Sequence, residues 1–134
     1  MTNKTAFVML LLQAFSLTIV FAGENYKCTV TDTLQAEAVA QPGQKAGQSP
    51  KGKQFTVERA TGVMSGAISN VFASQPTVFS FGSEESSYRV VSATGSDPTS
   101  ATCTLVIEES SKEAQKPFVF IIDGITYYGM CVHF

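Results

Sequence analysis

The stretch Phe118-Val119-Phe120-Ile121-Ile122-Asp123-Gly124-Ile125-Thr126-Tyr127-Tyr128-Gly129-Met130-Cys131-Val132 decides the fold. Two apolar runs flank an Asp-Gly pair. That dipeptide marks a two-residue hairpin, because both central positions of the favoured turn need positive φ. The turn predicts Ile122 opposite Ile125, Phe120 opposite Tyr127 and Phe118 opposite Gly129. Alternate residues of a strand point to opposite faces. Phe118, Phe120, Ile122, Ile125 and Tyr127 therefore share one face, and Val119, Ile121, Thr126, Tyr128 and Met130 share the other. Both faces are rich in apolar side chains, whereas a sheet with one wet face alternates apolar with polar. The second face calls for a cover: a short helix over Leu34 to Ala40, a second copy of the chain, or a lipid bilayer.

Working upstream, Ala101 to Glu109 alternates cleanly, with Cys103, Leu105 and Ile107 on one face and Thr102, Thr104 and Glu108 on the other. Gly95-Ser96-Asp97-Pro98 reads as a turn. Ser87 to Thr94 and Thr77 to Phe81 read as two strands joined by the polar loop Gly82 to Ser86. Val63 to Asn70 and the Phe55-Val57 pair form another hairpin around Arg59-Ala60-Thr61-Gly62, in which Gly62 takes the left-handed conformation. Gly66 predicts a bulge or a close packing contact. Tyr26 to Leu34 alternates as well, with Tyr26, Cys28, Val30 and Leu34 on the apolar face and Asp32 as its exception. Residues 35–53 lack aromatic side chains and are rich in Gln, Gly, Lys, Pro and Ser, which predicts a flexible loop. Ser110 and Glu113 have capping-box spacing, so a helical turn is expected before Pro117. The sum is an all-β domain: a small antiparallel barrel or sandwich of about eight short strands.

The amino terminus belongs to a different class of segment. Lys4 precedes an apolar stretch from Ala6 to Phe21, and Val20-Phe21-Ala22 offers small residues where a signal peptidase reads them. Residues 1–22 are expected to be a cleaved signal peptide and residues 23–134 a single domain, secreted or periplasmic. With 11 acidic residues against 9 basic ones and a net charge of −2, the chain has no basic footprint for nucleic acid.

Export permits a disulfide. Three cysteines allow one bridge with one thiol left over. Cys28 with Cys131 is the favoured pair, because closing a barrel brings the first and last strands together. Cys103 with Cys131 is the alternative. In the favoured pairing Cys103 stays as a small buried apolar residue.

Catalytic and metal chemistry find little support. His133 is the one histidine, next to the last residue. Termini fray, which makes it a poor general base. No serine sits in Gly-x-Ser-x-Gly. The doublets Glu84-Glu85 and Glu108-Glu109 place neighbouring carboxylates on opposite strand faces rather than across a cleft. Cys131-Val132-His133 puts a thiol and an imidazole on one face, but a disulfide would consume the thiol. No catalytic residue, metal ligand or cofactor is assigned.

Phe55-Thr56-Val57-Glu58-Arg59-Ala60-Thr61-Gly62, with the ending Tyr128-Gly129-Met130-Cys131, is similar to an F-x-V-D-R-x-T-G hairpin and Y-x-G-x-C ending in small secreted proteins of unassigned function from Gram-negative bacteria. Glu58 stands where that pattern has Asp. The resemblance implies a periplasmic location; no activity, ligand or catalytic residue carries over from it. The expected function is non-enzymatic binding of a protein, a glycan or a small apolar ligand, with Phe118, Phe120, Tyr127 and Tyr128 as the contact surface and a homodimer among the expected assemblies. A small outer-membrane-type β-barrel and an enzyme of unknown class are the alternatives. The apolar ending at Phe134 motivates the first of these.

Overall fold

The computed structural model describes residues 24–35, 50–70, 75–93 and 102–134. They form eight strands: β1 (Tyr26–Gln35), β2 (Gln54–Val57), β3 (Met64–Gly66), β4 (Thr77–Ser83), β5 (Ser86–Ala93), β6 (Thr102–Ile107), β7 (Lys116–Ile122) and β8 (Ile125–His133). One sheet holds them all in the order β3-β2-β1-β8-β7-β6-β5-β4. Every neighbouring pair is antiparallel, and the sheet curls into a half-barrel. The signal-peptide expectation, the Leu34 to Ala40 helix beyond Gln35 and the turn at residues 95–98 lie outside the described residues.

The deciding hairpin folds as its sequence dictates. Asp123 and Gly124 both take positive φ, 48° and 73°, and Ile122, Phe120 and Phe118 pair with Ile125, Tyr127 and Gly129. Phe118 and Phe120 face inward, where they meet Leu105 and Ile107 of β6, Val90 and Tyr88 of β5, Val30 of β1 and Phe55 of β2 in one core. Each such side chain contributes roughly 1.5–3 kcal/mol by leaving water. Phe118 also covers Gly129. A Cβ at position 129 would lie 2.0 Å from the Thr29 carbonyl oxygen and 2.5 Å from the Phe118 ring, so β1 and β8 approach this closely only because residue 129 has no side chain.

The first and last strands are indeed neighbours, and Cys28 lies directly opposite Cys131 in the ladder. The two are disulfide-bonded, with a Cα–Cα distance of 3.9 Å. Cys103 is a free, buried thiol. The β1–β8 pair does not close a barrel, however. It lies inside the sheet, as the third and fourth of the eight strands, and the edge strands are β3 and β4.

Four local expectations change. The ladder between β1 and β8 slips between Val30 and Asp32, so Thr31 is bulged and the alternation reverses. A bulge inserts one unpaired residue and re-aims the side chains beyond it. Asp32 thereby joins Tyr128 on the outer face, which removes the anomaly of a carboxylate in the core row. Leu34 turns outward with it and is 61% exposed, not part of the apolar face. The returning strand expected over residues 63–70 is only β3, because Gly66 takes φ 123° against the Gln54 carbonyl and Asn70 folds back. Its side chain accepts from Met64 N–H and donates to the Gly62 carbonyl, both at 2.8 Å. No helical turn precedes Pro117. Ser111 Oγ accepts from Glu113 N–H instead, and the Lys116 ammonium donates to the Glu109 and Ser111 carbonyls. The loop predicted over residues 35–53 is also shorter at both described ends. Gln35 closes β1, and Pro50 to Lys53 form a turn with Gly52 at φ 81°.

Candidate functional site

The two ends of the half-barrel differ in kind. At the end where β1 begins, polar side chains replace the missing β3–β4 ladder. Arg59, in the β2–β3 loop, donates from Nε and Nη2 to the Phe81 carbonyl of β4 at 3.1 and 2.7 Å. Its own carbonyl accepts from the Tyr88 hydroxyl at 3.0 Å, and its N–H donates to Asn25 Oδ1 at 3.1 Å. The guanidinium carbon lies 5.8 Å from the Tyr26 ring centroid, within cation–π range. Positive φ at Gly62 seats the loop against Val90 and Pro76.

Beneath Arg59, Tyr26 and Tyr88 pack ring against ring at 5.1 Å, both fully buried. The Tyr26 hydroxyl donates to Glu109 Oε1. His133 Nε2 lies 3.0 Å from the same carboxylate, its Nδ1 lies 3.7 Å from Glu24 Oε2, and its ring stacks on Tyr26 at 4.8 Å. Burial raises the Tyr26 phenol well above its ordinary pKa, assisted by its hydrogen bond to Glu109 and that residue's charge, while the Arg59 charge opposes the shift. Burial likewise raises Tyr88. Hydrogen bonds from Ser110 and Ser87 lower Glu108. The Glu108-Glu109 doublet thus divides as its alternation requires: Glu109 turns in to Tyr26 and His133, and Glu108 turns to serines.

His133 is not frayed, contrary to the expectation for a penultimate residue. Its strand is central, and the next N–H, that of Phe134, donates to the Asn25 carbonyl at 3.0 Å. The cluster ties the ends of β1 and β8 to the loop after β6. The base is held by an acid and stacked on a phenol. No serine, threonine or cysteine among the described residues hydrogen-bonds His133 as a nucleophile would. Among the described residues no group of three or more His, Cys, Asp or Glu side chains is placed to hold a metal ion, and Cys131 is consumed by its disulfide.

The opposite end carries a pocket among the described residues. A pocket of about 320 Å³ is lined there by Pro50, Lys53, Ile68, Phe120, Ile122 and Tyr127, with Ala67 and Ser69 at its wall. The lining is built from separate elements. The Phe120 and Tyr127 rings are cross-strand partners, 6.0 Å between centroids. The turn Pro50-Lys51-Gly52-Lys53 carries Lys53. It closes through Lys53 N–H to the Pro50 carbonyl at 2.9 Å, and it docks on β1 through Gly52 N–H to Val30 O and Val30 N–H to Lys53 O at 2.7 and 3.0 Å. Gly at the third position is what a turn with positive φ there requires. Farther along the inner face, Ser92 Oγ is buried with no hydrogen-bond partner, beside Cys103 in the ladder.

The residues expected to form a contact surface separate in the structure. Phe118 and Phe120 are core, 2% and 1% exposed. Phe118 offers no surface. Phe120 reaches the mouth pocket only by its edge, beside half-buried Tyr127. Tyr128 points outward, where Ile121, Val132 and Leu34 are also exposed. Phe79 and Phe81 of edge strand β4 are large exposed apolar residues too, and they were not among the expected contact residues. The signal was present in Thr77 to Phe81, an apolar strand beginning just after Pro76, since proline favours strand edges.

An antiparallel half-barrel stapled between its first and last strands, tied by polar side chains at one end and bearing a pocket among the described residues at the other, is the class of protein that this fold and site define. No protein-family model, curated protein or solved structure matches the chain.

Proposed function

We propose that the chain is an exported, non-enzymatic β domain that binds a small, largely apolar ligand in the mouth of its half-barrel. The observation that carries this reading is the mouth pocket itself: about 320 Å³ of space against Ile68, Phe120, Ile122 and Tyr127. Ligand sites are concave and set apolar side chains beside fixed polar groups, and the exposed wall of this pocket is polar and apolar in about equal parts. Two features support export through a signal peptide cleaved near Ala22 into the periplasm or medium. Glu24 and Asn25, just past the expected cleavage point, already make tertiary contacts, and the Cys28–Cys131 bridge suits an oxidising compartment. A spanning outer-membrane barrel fits less well, since β2 and β3 have four and three residues where a membrane strand needs roughly 9–11.

The test is chemical-shift mapping on the oxidised domain from residue 23, titrated with octan-1-ol. Shifts concentrated on residues 50–53, 67–69 and 120–127 are expected. Shifts confined to the β4 edge or the outer face, or none at all, overturn the pocket as the binding site.

A further inference from the structure

Resting on the pocket reading above, we infer that the ligand carries a carboxylate, or an equivalent single negative charge, at one end of its apolar body. Among the described residues, Lys53 is the one charged side chain in the pocket lining; the other seven lining residues are uncharged. No acidic side chain among them compensates it. A cation at the rim of a pocket whose other lining side chains are uncharged selects an anion by charge complementarity and disfavours cations.

Lys53 is exposed to solvent, and three features hold its backbone at the pocket rim. The Lys53 backbone is fixed on both sides, its N–H to Pro50 O and its carbonyl to Val30 N–H. The turn that fixes it depends on Gly52 at φ 81°. It docks on β1 at Val30, directly beside the slip between Val30 and Asp32 that turns Asp32 to the outer face. The bulge therefore does two things at one place. It removes a carboxylate from the side that faces the pocket, and it leaves Lys53 as the local charge. Tyr127, half-buried at the same mouth, adds a phenol that can donate to the same anion.

Size limits the ligand further. At roughly 30 Å³ per water-sized unit, the pocket takes about ten non-hydrogen atoms. Octanoate has that size and carries its charge at one end; octan-1-ol is its neutral counterpart.

The experiment measures both affinities by calorimetry for the oxidised wild-type domain, Lys53→Met and Ile122→Asp. Octanoate is expected to bind about fivefold more tightly than octan-1-ol, the upper range for an ion pair at a solvent-open rim. Lys53→Met should erase that preference, so that the variant binds octanoate and octan-1-ol equally. Ile122→Asp should weaken both ligands, octanoate more. Equal binding of both ligands by the wild type overturns the carboxylate assignment and leaves the pocket standing. A preference that survives Lys53→Met also overturns it. Failure of both ligands to bind overturns the pocket reading and this inference with it.

Discussion

Raising the pH past about 10 should unfold the domain through Tyr26 and Tyr88. Both rings are fully buried, and burial raises both phenols above their ordinary value, helped at Tyr26 by the hydrogen bond to Glu109. In the unfolded chain each titrates near its reference value of about 10. A group whose folded pKa is raised contributes stability that is fully present below the unfolded pKa and is lost as pH rises toward the folded one. Above about pH 10 the unfolded chain releases two protons that the folded chain keeps. Stability then falls by about 1.4 kcal/mol per pH unit for each tyrosine, or about 2.7 kcal/mol per unit for the pair. A domain of ordinary stability, about 5–15 kcal/mol, loses a large share of it within two units. Equilibrium urea unfolding between about pH 9 and about pH 11 measures the slope. Tyr26→Phe and Tyr88→Phe should each halve the slope, and the double variant should abolish this contribution. Tyr88→Phe also forfeits the bond to the Arg59 carbonyl, a pH-independent cost of about 1 kcal/mol that shifts the curve without tilting it. A double variant that keeps the full wild-type slope refutes the assignment.

Gly129→Ala forces a methyl against the Thr29 carbonyl and the Phe118 ring; a loss of at least about 3 kcal/mol is expected in denaturant titration, at the upper end for overpacking, because backbone is the obstacle. Replacing Cys28 and Cys131 together by serine opens a loop of 103 residues, for which chain entropy sets a ceiling near 4.7 kcal/mol; a loss of about 2–4 kcal/mol is expected, with Cys103 the one thiol titratable in denaturant both with and without the bridge. Arg59→Ala removes the donors that join the loop to β4 and should cost about 1–3 kcal/mol, with faster amide exchange confined to β4 and the β4–β5 turn. Leu34→Ala should cost less than about 0.5 kcal/mol and Leu105→Ala about 2–5 kcal/mol, a contrast that tests the outward turn of Leu34 after the bulge.

The strands were legible because their alternation is local. Cys103-Thr104-Leu105-Val106-Ile107 and the Asp123-Gly124 hairpin carry their structure in adjacent residues, and their faces and pairing come from period and turn type alone. The disulfide was legible by topology, since the first and last strands meet. The hidden features depend on a partner. The bulge at Thr31 is a property of the β1–β8 ladder, and nothing in Val30-Thr31-Asp32 announces it except the one carboxylate in the wrong row. The shortness of β3 comes from Asn70 reaching back to Gly62 and Met64, a contact with no periodic signature. The Tyr26-Glu109-His133 cluster joins residues from three remote segments, and His133 reads as terminal until its strand is placed in the middle of the sheet. The mouth pocket combines the 50–53 turn with the last hairpin, and only folding brings them together.

The strand order explains why side chains bridge one end of the described sheet and a pocket forms at the other. A meander that began and finished at neighbouring strands of a closed barrel would seal itself by pairing them. Here that pairing is spent inside the sheet, so β1 and β8 are anchored by the disulfide, by Phe134 N–H to Asn25 O and by His133 to Glu109. The break falls instead between β3 and β4, inside the chain. At the Tyr26 end, side chains can bridge that break, because the β2–β3 loop carries Arg59 to the Phe81 carbonyl. At the other end β3 has already stopped at Gly66, and residues 67–69 line the pocket wall rather than extend a ladder. The same three-residue strand that stops at Gly66 therefore hands residues 67–69 to the pocket wall, where a longer β3 would run.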